Sequence, residues 1–239
     1  MINFNELLEN KEKYRLDYLT AKPFPHLVLK DICDEKKLME VYETIPVLDN
    51  KSRDYMFAKN KFEKSNYGEI SPLLKELQED LRSDEMNEFL SYITVQEVFV
   101  DPKNHGGGLH QGRKSSFLDM HLDYNYHPIN NNWWREVNLL LYMNKNWKQE
   151  YGGQLDLKDL RTGEEKSCDV DFNTLRETIL SLKSKYNTTP FLKPFYTIDL
   201  EFDVKEDVII KINVTTYKYD YNNYLDDLLK FRPKPRQVV

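Results

Sequence analysis

His121 and Asp123 stand two apart in the run Ser116-Phe-Leu-Asp-Met-His-Leu-Asp-Tyr-Asn-Tyr-His-Pro128. In an extended chain, residues at i and i+2 share a face. Phe117, Asp119, His121 and Asp123 are therefore expected on one side of a strand, with Leu118, Met120, Leu122 and Tyr124 on the other. An imidazole beside a carboxylate supplies two thirds of the two-His-one-carboxylate set that holds non-haem Fe(II) with positions left open. The pair alone says little, because His-x-Asp strings arise by chance and most of them on strands are ion pairs or satisfied polar pairs. The residues around it decide.

The elements that must position this pair are legible from capping and periodicity. Residues 1–20 read as a short polar helix, and Lys22-Pro-Phe-Pro-His-Leu-Val-Leu-Lys30 as an entry strand after two prolines. Asp34 can cap a helix with Leu38, Val41, Tyr42 and Ile45 on one face, ended by Pro46. Residues 47–70 read as loops or short strands. Ser71-Pro72 starts a helix through Leu73, Leu74, Leu77 and Leu81. Strands are expected over Thr94–Val100, Val137–Met143 and Gln154–Leu157, and a loop over Asp101–Gly112, which holds Gly106, Gly107 and Gly108. Thr174 and Glu177 form a capping box for a helix with Leu175, Ile179 and Leu182 on one face. Thr197–Val204 and Val208–Tyr217 then alternate as a hairpin around Lys205-Glu206-Asp207.

Charge and composition narrow the function. With 34 basic against 40 acidic residues and a net charge of -6, the chain lacks the basic surface that nucleic acid or an anionic membrane rewards. No apolar run approaches the roughly 20 residues needed to span a bilayer. The N-terminus is neither basic nor followed by an apolar stretch, so no signal peptide is read. Cys33 and Cys168 match no metal or redox spacing. The compartment expected is a reducing cytoplasm, with both thiols free. Oligomeric state is open.

Residues 93–173 resemble the iron- and 2-oxoglutarate-dependent dioxygenases of the prolyl 4-hydroxylase-like superfamily, of the small microbial and phage type. The resemblance runs through Gly108-Leu-His-Gln-Gly112, His121-Leu-Asp-Tyr-Asn-Tyr-His-Pro128, Arg135-Glu-Val-Asn-Leu-Leu-Leu-Tyr-Met-Asn144, Trp147 and Tyr151-Gly-Gly-Gln-Leu-Asp-Leu157. It implies a mainly β fold with flanking helices (α+β), a double-stranded β-helix or jelly-roll barrel with atypical C-terminal strands. Three regions of one domain are expected: 1–92 as N-terminal helical and strand support, 93–173 as the jelly-roll core with the metal motif, and 174–239 as a divergent C-terminal helix plus hairpin. The resemblance also implies His121 and Asp123 as metal ligands and Tyr142 as the phenol that meets the distal carboxylate of 2-oxoglutarate. Its cofactor would be Fe(II) and its cosubstrate 2-oxoglutarate, with ascorbate as an accessory. The reaction would be hydroxylation of an unactivated C–H bond in a small-molecule, sugar or peptide substrate.

The other candidates have plainer readings. His127-Pro128 reads as a strand cap, and His105 and His110 as lid or substrate contacts in the glycine loop. Trp133 and Trp134 read as packing, Arg135 as an ion-pair partner within the barrel, and His26 as structural.

The family pattern breaks near Asn173. All five His lie at or before position 127, so no distal His closes the triad, and the expected Arg partner of 2-oxoglutarate is missing. Lys211, Arg176 and Arg161 are the candidate replacements. Three explanations stay open: a frameshifted or truncated remnant, an oxygenase with only two protein ligands on iron, or a catalytically inactive jelly-roll that binds without turnover.

Overall fold

Short polar side chains at helix starts set up the helical layer. Asp34, Ser71 and Ser83 each accept the backbone N–H three residues on, which meets one of the unpaired donors of a first turn. The structure, a computed structural model, describes residues 1–49, 54, 58–121, 125–179 and 209–219. In chain order it has helices α1 (Phe4–Glu9) and α2 (Lys11–Thr20), strand β1 (His26–Lys30), helix α3 (Glu35–Thr44) and strand β2 (Ala58–Lys64). Helices α4 (Pro72–Leu81) and α5 (Asp84–Thr94) follow, then strands β3 (Phe99–Val100), β4 (Gly108–Leu118), β5 (Trp133–Tyr142), β6 (Leu155–Lys158), β7 (Glu165–Cys168), β8 (Thr174–Ile179) and β9 (Ile209–Tyr219). Among the described residues no helix is long and apolar enough to cross a membrane.

The large sheet runs β1-β8-β5-β9-β4-β2, with β3 paired to β9 and every pairing antiparallel. Its two faces differ in chemistry. Val137, Leu139 and Leu141 of β5 and Ile210, Ile212 and Val214 of β9 join Leu38, Leu74, Leu77, Phe89 and Ile93 of the helices in one core. Each such side chain contributes about 1.5–3 kcal/mol on burial. The opposite face meets the second layer, the β6–β7 pair, where Leu140 and Tyr142 pack with Val170, Trp147 and Leu155. Two layers with one shared interior are the mainly β, helix-flanked arrangement expected.

Several elements differ from expectation. The segment from Thr174 is strand β8, not a helix, and its register places Leu175 opposite Leu29 of β1 and Leu141 of β5. Leu175, Glu177 and Ile179 alternate as well as they space helically, and a slot with an open ladder on both sides selects the strand. Of the expected hairpin, the second strand is present as β9 (Ile209–Tyr219). Residues 197–204 lie outside the described residues, while β9 pairs with β3, β4 and β5 at the centre of the sheet. Of the chain after 173, the described segments β8 and β9 both belong to the main sheet. Thr94 ends helix α5, begun by the Ser83 cap, so the strand expected from Thr94 shrinks to Phe99–Val100. The glycine loop ends earlier than expected, because β4 starts at Gly108, and β4 itself stops at Leu118, short of His121.

Asn173 joins the entry strand to β8. With φ of 54°, its side chain accepts from the Cys33 N–H at 3.1 Å and donates to the Cys33 carbonyl at 2.9 Å. Both bonds are buried and lie 140 residues apart in sequence. Asn173→Ala should cost about 2–4 kcal/mol in chemical denaturation, from two buried hydrogen bonds and a left-handed backbone. Asn173→Gly should recover only the backbone share, so equal losses in both variants would contradict this account.

Candidate functional site

Register brings one row of polar side chains together inside the barrel. Tyr142 of β5 stands directly opposite Lys211 of β9 on one side and Thr174 of β8 on the other. Lys211 in turn stands opposite His110 of β4. Directly opposed side chains share a face, with Cβ atoms about 4.5–5.5 Å apart. Tyr142 and Thr174 are buried, as is His110. Burial pushes the His110 imidazole well below its ordinary range, with Lys61, Lys211 and Arg135 adding to the effect, so it is neutral at pH 7. Next along the same face come Leu140 opposite Asn213, then Asn138 opposite Thr215. Asn138 Oδ1 and Asn213 Oδ1 are buried without a hydrogen-bond partner among the described residues. A phenol, an ammonium and two unmet acceptors therefore share this face with His110, Thr174 and Thr215.

The sequence-predicted metal pair is only partly described. His121 lies past the end of β4 and is exposed, with Nδ1 2.6 Å from the Asp119 carbonyl oxygen. A carbonyl only accepts, so Nδ1 is the donor in this pair. Asp123 lies outside the described residues. His110, expected in the loop, is the third residue of strand β4, and His26 is held by two polar contacts. Its Nδ1 meets the Phe24 carbonyl at 2.8 Å and its Nε2 meets Lys166 Nζ at 2.9 Å.

A second constellation was missed in the sequence. Asp101, His105 and His127 bring one carboxylate and two imidazoles to one point, and they could hold a metal ion. His105 Nδ1 lies 3.0 Å from Asp101 Oδ2, His127 Nε2 lies 3.1 Å from His105 Nδ1, and His127 Nε2 lies 3.5 Å from Asp101 Oδ2. Ligands held at ~2.1 Å around one metal sit ~3 Å apart, so composition and spacing both fit a divalent transition metal. The local signal in the sequence is Asp101 four residues before His105 in a turn. The Asp101 carboxylate accepts the N–H groups of Lys103 at 2.9 Å and His105 at 2.6 Å, which fixes that turn. Burial alone would raise the Asp101 pKa, but these amides and the His105 ring outweigh it and hold it below the usual range. Burial lowers His127, and the Asp101 charge only partly offsets that.

These shifts give stability a pH dependence. His110 and His127 have folded pKa values below their unfolded value of about 6.5, so the unfolded chain binds more protons as pH falls through that range. Melting temperature should drop between pH 7 and pH 5, and His110→Gln should flatten part of that slope. The Asp101 contribution runs at lower pH, being present above about 3.9 and lost below it. A melting temperature flat from pH 7 to 5 would contradict the buried neutral state of both rings.

Comparison with known proteins bears on this arrangement. Residues 107–188 match the sequence model of the 2OG-Fe(II) oxygenase superfamily. No curated protein matches the chain. Among solved structures, a Pseudomonas putida prolyl-4-hydroxylase is similar at a TM-score of 0.54 and 11% identity, over 88% of this chain and 98% of that one. A Trichoplax adhaerens prolyl hydroxylase, solved with a peptide fragment of the hypoxia inducible factor oxygen degradation domain, is similar at 0.52 and 10%, over 92% and 94%. A Phytophthora capsici prolyl 4-hydroxylase is similar at 0.50 and 14%, over 97% and 74%. Residues 107–188 thus match the sequence model of the 2OG-Fe(II) oxygenase superfamily, and in fold the chain is similar to prolyl hydroxylases.

Proposed function

We propose that this protein is an Fe(II)- and 2-oxoglutarate-dependent hydroxylase in which His121 and Asp123 hold the iron and Tyr142 with Lys211 holds the distal carboxylate of 2-oxoglutarate. The observation that carries the reading is the Tyr142–Lys211 rung inside the barrel. A carboxylate is met well by an ammonium and a phenol side by side, one supplying charge and both supplying donors. Of the three candidate cations, Arg161 is committed to Asp159 through bonds of 2.7 and 3.1 Å. Arg176 stands at the register position opposite Leu140, one rung away from Tyr142. Lys211 alone shares the rung of the phenol.

The place of His121, just past the end of β4 and two residues before Asp123 in sequence, supports the metal half of the reading. Iron and 2-oxoglutarate together supply the oxidising power for C–H hydroxylation, and the protein's part is to place and shield them. The substrate is a molecule with an unactivated C–H bond, be it a peptide, a sugar or a small metabolite. The stretch that carries His121 also exposes Phe117, Leu118, Met120, Tyr126 and Ile129, an apolar rim suited to a partly apolar substrate. A second reading, a barrel that binds without turnover, is favoured by one fact: no His follows position 127 to complete the triad.

The test is anaerobic binding of Fe(II) and 2-oxoglutarate, read by charge-transfer absorbance, together with succinate formation in air. Lys211→Ala and Tyr142→Phe should weaken 2-oxoglutarate binding, by about tenfold or more for the lysine and a few-fold for the phenol, in line with the ~1.5–3 and ~0.5–1.5 kcal/mol of charged and neutral hydrogen bonds. His121→Ala should abolish the band. A band in wild type without succinate would favour the non-catalytic barrel, and unchanged affinity in Lys211→Ala would sink the carboxylate assignment.

A further inference from the structure

Hydrogen bonds around Asp101, His105 and His127 tell which ring nitrogens carry protons. His127 Nδ1 accepts the backbone N–H of Ile129 at 3.1 Å and that of Asn130 at 2.9 Å. A ring nitrogen that accepts two N–H groups is a bare lone pair, so the proton of the neutral ring sits on Nε2. Nε2 is the atom that faces His105 and Asp101. A metal-bound imidazole needs the reverse, with the lone pair on the metal and the other N–H donated outward. His121 has that reverse arrangement, with Nδ1 donating to the Asp119 carbonyl. The trio that looks most like a metal centre by composition thus presents a proton where a ligand would need a lone pair.

Both ends of the trio are anchored. On one side, the glycine loop is held to β9 by Thr215 Oγ1 and the Tyr217 hydroxyl donating to the His105 carbonyl at 3.0 and 3.4 Å. Asn213 Nδ2 donates to the Gly106 carbonyl at 3.0 Å, and the Asp101 N–H to the Thr215 carbonyl at 3.2 Å. On the other side, the His127 N–H donates to the Trp133 carbonyl at 2.9 Å and the Arg135 N–H to the Asn125 carbonyl at 2.7 Å. The His127 ring is wedged between Trp133 and Tyr217, with centroids 5.0 and 5.1 Å away.

We propose that Asp101, His105 and His127 form a metal-free, hydrogen-bonded bracket that positions the segment carrying His121, with His127 as its peg. The chain between Leu118, the end of β4, and Asn125 carries His121 and Asp123. His127 Nδ1 caps the turn after Pro128, while its Nε2–H faces His105 Nδ1 at 3.1 Å and the Asp101 carboxylate at 3.5 Å. The bracket itself rests on hydrogen bonds alone, and its role in placing the metal rests on the oxygenase reading above.

The test is nitrogen-15 NMR of the histidine rings in the full-length protein, with and without one equivalent of Zn(II) as a diamagnetic probe. The bracket requires His127 as the Nε2–H tautomer in both spectra, and zinc shifting His121 but neither His105 nor His127. A Nδ1–H tautomer at His127, or zinc shifts confined to His105 and His127, would overturn it and make the trio the metal centre. His127→Ala should speed amide exchange at Ile129 and Asn130 at least tenfold and weaken zinc about tenfold. His127→Asn, whose side-chain oxygen replaces the lost acceptor, should restore most of that amide protection. Unchanged zinc affinity in a folded His127→Ala would remove the positioning role. If wild type takes no zinc while His127 keeps its Nε2–H tautomer, the bracket stands and the oxygenase reading falls.

Discussion

Two-residue alternation on the paired strands β5 and β9 is the constraint on which the rest of the structure depends. Ile210, Ile212 and Val214 must meet the helices, so Lys211, Asn213 and Thr215 must face the barrel. A slip of one residue would exchange the two sets and bury an ammonium among leucines. The apolar core therefore sets the register, and the register in turn sets the site. Tyr142 stands opposite Lys211 because Leu141 stands opposite Ile212 in the same register. The site is stabilised at second hand, by side chains that touch no ligand.

The five histidines show how little residue type alone decides. His26 donates to one carbonyl and accepts from a lysine, His110 is buried neutral beside cations, and His127 accepts two amides. Only His121 has its Nδ1 on a carbonyl with a carboxylate two residues on in sequence. His105 lies between these cases, since its Nδ1 is shared with an ionised Asp101. Proximity of donors marks Asp101, His105 and His127 as the better metal site, and proton bookkeeping marks His121. Freeing His127 Nδ1 would break two amide hydrogen bonds, about 1–3 kcal/mol in all, which a three-ligand metal site could supply. The energetic barrier to metal entry at the trio is thus modest, and what opposes it is the backbone of the 127–130 turn.

Much of the support layer is legible from caps. Asp34, Ser71 with Pro72, and the leucine stripe of α4 specify their helices locally, and the structure agrees with them. Helix α5 carries an equally local signal, Ser83 before Asp84 and Glu85, that the strand reading at Thr94 overlooked. Strand β8 is a different kind of case. Thr174 and Glu177 make a sound capping box, and only the vacancy between β1 and β5 turns the segment into a strand, which no local window contains. The trio was hidden for the same reason. Asp101 and His105 are neighbours in one turn, but His127 reaches them through the docking of that turn on Trp133 and Tyr217.

The chain after Asn173 bears on whether the barrel is a remnant. A frameshifted tail carries no memory of the core it joins, so its alternation would have no reason to match in phase. Yet β9 keeps three apolar side chains on the helix face and places Lys211 on the rung of Tyr142, between two strands that read quite independently as family sequence. Its Thr215 and Asn213 also hold the carbonyls of the glycine loop. One segment thus meets the core, the sheet register and the glycine loop at once. Such agreement in phase is what a strand of this sheet requires, and an unrelated tail has no reason to supply it.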